Sequence, residues 1–148
     1  MRRAASLILL CILCVTACRE PLSREAFVKG PGPYEFSVPM NDSTVLYDFD
    51  FYTRIDASPE DIRALSDLPL SITWTSPSGQ RFTESVFLPL QGRTSFFSRQ
   101  IREPYRAGIS PWEYGDWTMS VFVPVSASVP GMRGLGLIIT KRPWDTEN

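Results

Sequence analysis

The chain has 148 residues, with 15 basic and 16 acidic side chains and a formal net charge of −1. This balance argues against nucleic acid or an anionic lipid surface as the main partner, because both are bound through clusters of positive charge. The sequence contains no histidine, which excludes Ser-His-Asp triads, Cys-His pairs and histidine metal sites.

The N-terminal segment 1–17 has the pattern of a secretory signal peptide. Arg2 and Arg3 give a positive start, no charged residue follows before Cys18, and small residues come just before that cysteine. The apolar run is shorter than the roughly 20 residues that cross a membrane as a helix. Val-Thr-Ala-Cys at residues 15–18 resembles the lipobox of bacterial lipoproteins, which implies cleavage before Cys18 and acylation of its thiol, for example with palmitate. The alternative is an ordinary signal peptide that is followed by an incidental cysteine.

All three cysteines, Cys11, Cys14 and Cys18, lie in this segment or at its cleavage point. The mature chain therefore has no disulfide and no cysteine metal site. Loss of Arg2 and Arg3 with the signal lowers the 15 basic side chains to 13 against 16 acidic ones, a net charge of −3. A chain of this size can form one domain core. We expect neither a metal nor a small-molecule cofactor.

The mature chain divides into a tether, one domain and a tail. Residues 18–33 contain several prolines and glycines and few large apolar side chains, which predicts a lipidated tether. Residues 34–142 contain the periodic segments and form the predicted domain. Residues 143–148 form the C-terminal tail.

Alternation of apolar and polar residues predicts an all-β domain. It is longest in residues 45–55, where mostly aromatic and aliphatic side chains occupy the odd positions. Ser58 and Pro59 suit the start of one short helix over residues 58–66, and Ser76-Pro77-Ser78-Gly79 suits a type I turn. The predicted strands cover residues 34–38, 45–55, 70–75, 81–88, 94–98, 116–123 and 134–140. Six to eight short strands indicate an antiparallel β-sandwich.

Two carboxylates invite a catalytic interpretation. Asp48 and Asp50 are expected on one strand face, roughly 7 Å apart, and paired carboxylates at such distances serve in inverting glycosidases. Acids at alternate positions are also typical of a solvated strand face, where Arg54 would neutralise one of them. We favour the second interpretation, so the sequence predicts no catalytic residue and no enzyme.

Three glycines, Gly131, Gly134 and Gly136, have the spacing of a dinucleotide-binding fingerprint in reversed order. They lie between two predicted strands and open no helix, so the geometry that holds a phosphate is missing. We expect them to permit a tight turn and a close strand crossing.

Residues 102–115 contain two prolines and two glycines, which predicts an irregular crossing loop with a functional surface. The candidate partner-binding residues are Tyr105, Trp112, Tyr114, Arg102 and Arg106. Tyr, Trp and Arg dominate interface energies, whereas aromatic rings on a loop also stack on sugars. A third possibility is that Trp112 packs onto the sandwich and seals its core. Trp74 and Trp117 lie in predicted strands and are expected in the core.

Two segments carry a family resemblance: Gly115-Asp116-Trp117-Thr118-Met119, and Val129-Pro130-Gly131-Met132-Arg133-Gly134-Leu135-Gly136-Leu137-Ile138-Ile139. They resemble the gliding-motility lipoproteins of the GldH family of Bacteroidetes. The similarity extends more loosely to the strand at residues 47–55 and to the hairpin at residues 70–87, so it covers most of residues 34–142.

This resemblance implies a non-enzymatic cell-envelope lipoprotein that acts as an interaction module in a membrane-associated assembly related to gliding motility or secretion. Its partners would be the bilayer, through acylated Cys18, and envelope proteins. The alternative is a surface lipoprotein that binds glycans through loop aromatics. Arg19 follows Cys18, where lipoproteins of the inner membrane often carry aspartate, and no acidic cluster follows. We therefore expect the outer membrane, with the domain facing the periplasm.

Overall fold

The structure, a computed structural model, describes residues 22–64, 67–90, 98–124 and 129–144. In chain order its elements are β1 (Ser23–Lys29), β2 (Tyr34–Met40), β3 (Val45–Asp56), α1 (Pro59–Arg63), β4 (Leu68–Thr75), β5 (Arg81–Leu88), β6 (Ser98–Ile109), β7 (Gly115–Phe122) and β8 (Met132–Pro143). The predicted all-β class with one short helix is confirmed. No helix in the described part of the chain is long and apolar enough to cross a membrane. The signal peptide, residues 94–97 of one predicted strand and residues 145–148 of the tail lie outside the described residues.

Two four-stranded antiparallel sheets form the sandwich. The first has the order β1-β8-β3-β6 and the second the order β2-β7-β4-β5. β3 pairs with β8 on one side and with β6 on the other, whereas β4 lies between β7 and β5. The eight described strands agree with the prediction of an antiparallel β-sandwich of six to eight strands.

The core follows directly from the alternation in β3. Its inward side chains are almost fully buried, and they are Tyr47, Phe49, Phe51, Thr53 and Ile55. The apolar ones join inward residues of the second sheet, such as Phe36 and Ile72, in one cluster. Burial of each large apolar side chain stabilises the fold by about 1.5–3 kcal/mol. Thr53 is tolerated in this core because its hydroxyl donates to the carbonyl oxygen of Gly134 at 2.6 Å, which satisfies the buried polar group.

Two local predictions are confirmed in detail. β4 and β5 form a hairpin with Trp74 opposite Phe82, and the backbone N–H of Gly79 donates to the carbonyl oxygen of Ser76 at 2.9 Å across the turn. At the start of α1 the hydroxyl of Ser58 accepts a hydrogen bond from the backbone N–H of Asp61 at 3.2 Å. Ser58 therefore caps the helix, as its position before Pro59 predicted.

The prediction that residues 18–33 form a tether is wrong for most of the described part of that segment, residues 22–33. Ser23–Lys29 form β1, which pairs with β8 from Ser23 opposite Thr140 to Lys29 opposite Gly134. Most side chains of β1 are exposed and only Ala26 and Val28 pack on the core, so the strand has little apolar content to reveal it. Its backbone nevertheless gives β8 a partner, because without β1 this strand would be a sheet edge.

The predicted irregular loop at residues 102–115 is also mostly wrong. β6 continues to Ile109 and pairs with β3, with register shifts near Asp50. Pro104 fits there because β6 is an edge strand, where a missing N–H is tolerated. Gly108 adopts a φ of +68°, and its N–H donates to Asp48 at 2.6 Å. The irregular connection is reduced to residues 110–114.

The strand registers show which loops share an end of the sandwich. Ser23 at the start of β1 lies opposite Thr140, and Met40 at the end of β2 lies opposite Gly115. We call this the Ser23 end; it carries residues 41–44, 76–80 and 110–114 and the chain after β8. The opposite end carries residues 30–33, α1 and the turn at residues 129–131.

Candidate functional site

An open cavity of about 310 Å³ lies on the side of the sandwich where β5 and β6 are the outer strands of the two sheets. We call it the aromatic pocket. It is nearer the Ser23 end, because Met40 and residues 109–112 contribute to its lining. The other lining residues that matter below are Phe49, Trp74, Phe82, Glu84, Arg106 and Trp117.

The floor of the aromatic pocket is built from core rings. Phe49 of β3 and Trp117 of β7 are buried, and Trp74 of β4 lies half-buried between them. The ring of Trp74 meets Phe49 edge-on at a centroid distance of 5.4 Å and Trp117 at 6.2 Å. Such edge-to-face pairs contribute about 0.5–1.5 kcal/mol beyond area burial. Trp117 is therefore a core residue as predicted, and Trp74 extends the core to the pocket.

Two exposed rings form the mouth. Trp112 is 63% exposed and Phe82 is 44% exposed. Their rings meet edge-on at a centroid distance of 4.9 Å, and Trp112 also meets Trp117 edge-on at 4.6 Å. Trp112 therefore packs against two rings of the sandwich and still presents most of its surface to solvent.

The loop that carries Trp112 is held in place. The hydroxyl of Ser78 in the hairpin turn donates to the carboxylate of Glu113 at 2.8 Å, and the indole N–H of Trp117 donates to the carbonyl oxygen of Glu113 at 2.8 Å. Pro111 beside it is buried. Because these contacts fix the loop on both sides of Trp112, little conformational entropy is left to lose when a partner binds.

A polar cluster bridges the two sheets along one wall. Arg106 of β6 donates to Glu84 of β5 through Nη2 at 2.6 Å and through Nε at 3.2 Å. The hydroxyl of Tyr105 donates to Oε1 of Glu84, and the indole N–H of Trp74 donates to Tyr105 at 3.0 Å. Glu84 points inward from an edge strand, and the cluster satisfies its charge.

The cluster sets the protonation of its members. Burial raises the pKa of Glu84, but the hydrogen bonds from Arg106 and Tyr105 outweigh burial and leave that pKa below its usual value. Burial, and then the hydrogen bond to Glu84, raise the pKa of Tyr105 to about 12. The hydrogen bond to Glu84 also raises the pKa of Arg106. At neutral pH the cluster is therefore an ionised pair with a neutral tyrosine.

Glu84→Gln should make stability less sensitive to acid. The pKa of Glu84 is lower in the folded protein than its ordinary value of 4.5. The contribution of Glu84 to the free energy of unfolding is therefore complete at pH values above 4.5 and is lost as the pH falls through the pKa of the folded protein. Because Arg106 is half exposed, we expect about 1 kcal/mol or less. Urea unfolding between pH 7 and pH 3 measures this, with Ser85→Ala on the same strand as the control. A Glu84→Gln slope equal to that of Ser85→Ala would contradict the assignment.

The structure brings together three of the five predicted partner-binding residues. Arg106 and Trp112 line the aromatic pocket and Tyr105 is bonded to Glu84 in its wall. Tyr114 is exposed in the loop after Trp112, and Arg102 lies on the outer face of the first sheet. The sequence prediction missed Phe82 and Glu84. An inward position occupied by a glutamate in an alternating strand was the signal available for the second of them.

Asp48 and Asp50 are both ion-paired in this fold. Nε and Nη2 of Arg102 both donate to the carboxylate of Asp50, at 2.8 and 2.6 Å. Asp48 accepts the N–H of Gly108 and Nε of Arg142, the latter at 3.2 Å. The predicted neutralisation by Arg54 is wrong, because Arg54 instead pairs with Asp56 on its own strand at 2.9 Å. Among the described residues no cluster of three or more acidic, cysteine or histidine side chains could hold a metal ion.

The fold and pocket define a β-sandwich with an aromatic site, and comparison with known proteins adds little to that. No family model matches the chain, and no curated protein matches it. Among solved structures, an arabinose-bound GH51 α-L-arabinofuranosidase is similar over 82% of this chain, with 14% identity and a TM-score of 0.27. The chain spans only 22% of that enzyme's length. A likeness this weak carries no argument about function.

Proposed function

We propose that the protein is a non-enzymatic, lipid-anchored interaction module of a bacterial cell envelope, and that the aromatic pocket takes a side chain from a protein partner. The observation that carries this proposal is the mouth of the pocket. Trp112 and Phe82 are exposed there, although the loop of Trp112 is fixed by hydrogen bonds. Rigid, exposed aromatic rings lose little entropy on binding and are typical of residues that dominate interface energies.

The lining of the pocket favours an apolar or aromatic side chain as its occupant. Its floor consists of the rings of Phe49, Trp74 and Trp117, and its two charged residues, Glu84 and Arg106, already neutralise each other. The volume lies at the lower end of the range of about 300–1,000 Å³ for ligand pockets. One or two side chains fit this description better than a large ligand does.

The placement in the envelope rests on the sequence. The lipobox at residues 15–18 supports an acyl anchor on Cys18. Arg19 after it supports a location in the outer membrane, with the domain facing the periplasm. The resemblance to GldH lipoproteins supports a role in an assembly related to gliding motility or secretion. The ion-paired state of Asp48 and Asp50 supports a function without catalysis.

Glycan binding is the second candidate, and the exposed indole of Trp112 is the observation that favours it. Aromatic rings stack on the apolar faces of sugars, but sugar hydroxyls also need polar groups that are free to bind them. The charged groups in the pocket wall, Glu84 and Arg106, are engaged with each other. For this reason we place a protein partner first.

A photo-crosslinking amino acid at position 82 tests the proposal in cells of the native host. Phe82 is at the mouth of the pocket, whereas Phe87 on the same strand is 70% exposed on the outer face of the second sheet and provides the matched control. We expect a light-dependent, protease-sensitive adduct of defined mass at position 82 and none at position 87. Trp112→Ala should abolish the adduct while the protein still folds, because most of that ring is exposed.

Three results would decide against the proposal. The absence of any adduct at position 82 excludes a partner at the mouth, and the same adducts at both positions indicate non-specific contact. An adduct that resists protease and is removed by glycosidases replaces the protein partner with a glycan. A thermal melt of each variant confirms that the loss of an adduct is not a loss of folding.

A further inference from the structure

We infer that the Ser23 end of the sandwich rests on the lipid headgroups of the membrane that holds the anchor. The side chains in contact are Leu22, Tyr114 and Trp144, whereas Trp112 stays at the mouth of the aromatic pocket. The inference rests on the acylation of Cys18 proposed above and goes beyond it, because it names the face of the domain that meets the bilayer.

The short connection between the anchor and the first strand is the first argument. The structure places β1 from Ser23 onward, and the carbonyl oxygen of Leu22 accepts the backbone N–H of Lys141 at 2.7 Å. Four residue steps separate Cys18 from Leu22, and an extended chain covers at most about 14 Å in four steps. The headgroup layer takes up about 5–7 Å of that distance. The Ser23 end therefore cannot move far from the membrane surface.

The distribution of exposed aromatic residues is the second argument. Three Trp and Tyr residues count as exposed in the described chain: Trp112, Tyr114 and Trp144 (49%). All of them lie at the Ser23 end, together with Leu22, which is 68% exposed. The exposed rings nearer the opposite end are phenylalanines on the outer faces of the two sheets: Phe27, Phe87 and Phe122. Trp and Tyr combine an apolar body with a polar N–H or O–H, which is the chemistry of the headgroup layer.

Charge at the Ser23 end is mixed, so the rings provide the attraction. Arg142 is paired with Asp48, Asp42 accepts hydrogen bonds from Thr44, and Glu113 accepts one from Ser78. A few rings bind a bilayer only weakly by themselves. The acyl anchor makes their binding intramolecular, and a high effective concentration then makes a weak contact sufficient. We therefore expect the contact to form on neutral lipid, in agreement with the net charge of −3 for the mature chain.

Fluorescence quenching on vesicles tests the orientation of the acylated, full-length mature protein. All four tryptophans, including the buried Trp117 and half-buried Trp74, lie in the half of the sandwich near the Ser23 end. On phosphatidylcholine vesicles with bromine on the upper acyl chain, we expect strong quenching of the wild type. Trp144→Phe should remove most of it. Adding Phe122→Trp to this variant places a reporter near the opposite end, where no quenching should return.

The outcomes separate the orientation from the anchor. A protein that floats with the vesicles but is not quenched, or one in which Phe122→Trp restores quenching, overturns the orientation and leaves the anchor intact. A protein that mass spectrometry shows to carry no lipid, and that stays in solution, overturns the anchor and this inference with it. The quenching should be equal at low and high salt, and its loss at high salt would contradict a contact made by rings.

Discussion

Gly131→Ala is expected to destabilise the protein by about 2–4 kcal/mol. Gly131 is the third residue of the turn at residues 129–132, where Pro130 precedes it, and its φ is +79°. A side chain there meets two penalties. The left-handed backbone costs about 1 kcal/mol, and an added Cβ would lie 2.0 Å from the carbonyl oxygen of Asp56. That oxygen belongs to the backbone of β3 and cannot turn aside as a side chain could. β3 and β8 must therefore move apart where the N–H of Asp56 donates to the carbonyl oxygen of Gly131, and overpacking of this kind is destabilising.

Gly79→Ala is the matched control for this prediction. Its φ of +88° is similar, but no atom lies within 4 Å of an added Cβ. Only the backbone penalty applies, so we expect a loss of about 1 kcal/mol. In a thermal melt the two variants should differ, with a fall of about 10 °C for Gly131→Ala and about 4 °C for Gly79→Ala. Equal melting temperatures would show that the close approach of Gly131 to Asp56 does not exist.

The sequence predicted those parts of the fold that local patterns determine. β3 could be predicted because one of its faces is buried in the core, and that burial produces the period-two alternation over residues 45–55. The turn between β4 and β5 was predicted because Pro77 and Gly79 have backbone preferences that only a turn satisfies. The prediction of a tight turn and a close crossing at Gly131 and Gly134 is confirmed, since an added Cβ at Gly134 would lie 2.2 Å from the carbonyl oxygen of Val28.

The two strands that prediction missed, β1 and β6, are both sheet edges. An edge strand contributes backbone hydrogen bonds to one neighbour and little apolar surface, so tertiary pairing and not local pattern decides that it forms. In β6 the residues that look like loop formers, Pro104 and Gly108, have specific uses: the first lies where an edge needs no N–H, and the second donates its N–H to Asp48.

The candidate site could be predicted only in part for a related reason. The sequence predicts that Trp112 is exposed, because it follows Pro111 in an irregular segment. The contact of Trp112 with Phe82 and the bridge from Glu84 to Arg106 join residues that are 22 or more positions apart. No spacing rule predicts such pairs, since they depend on how the outer strands of two different sheets face each other.

Cys18→Ala is expected to abolish lipid attachment completely and to leave an uncleaved precursor. The thiol is the only group at the lipobox that can be alkylated, and cleavage of a lipoprotein signal follows that alkylation. Each buried methylene adds about 0.8 kcal/mol of membrane affinity, so loss of the acyl chains removes an attraction that the rings at the Ser23 end cannot replace. Metabolic labelling with a clickable fatty acid measures attachment, and the size of the chain on a gel measures cleavage.

Cys14→Ala is the matched control, because Cys14 lies inside the apolar run, four residues before the predicted anchor. It should be labelled and cleaved as the wild type is. The alternative, an ordinary signal peptide, makes the opposite prediction: Cys18→Ala would be cleaved normally and released from the membrane fraction, and no form of the protein would carry label. Labelling of Cys18→Ala at the wild-type level would instead place the lipid on another residue. The first result would remove the anchor and the second would move it, and either would remove the short connection that holds the Ser23 end near a bilayer.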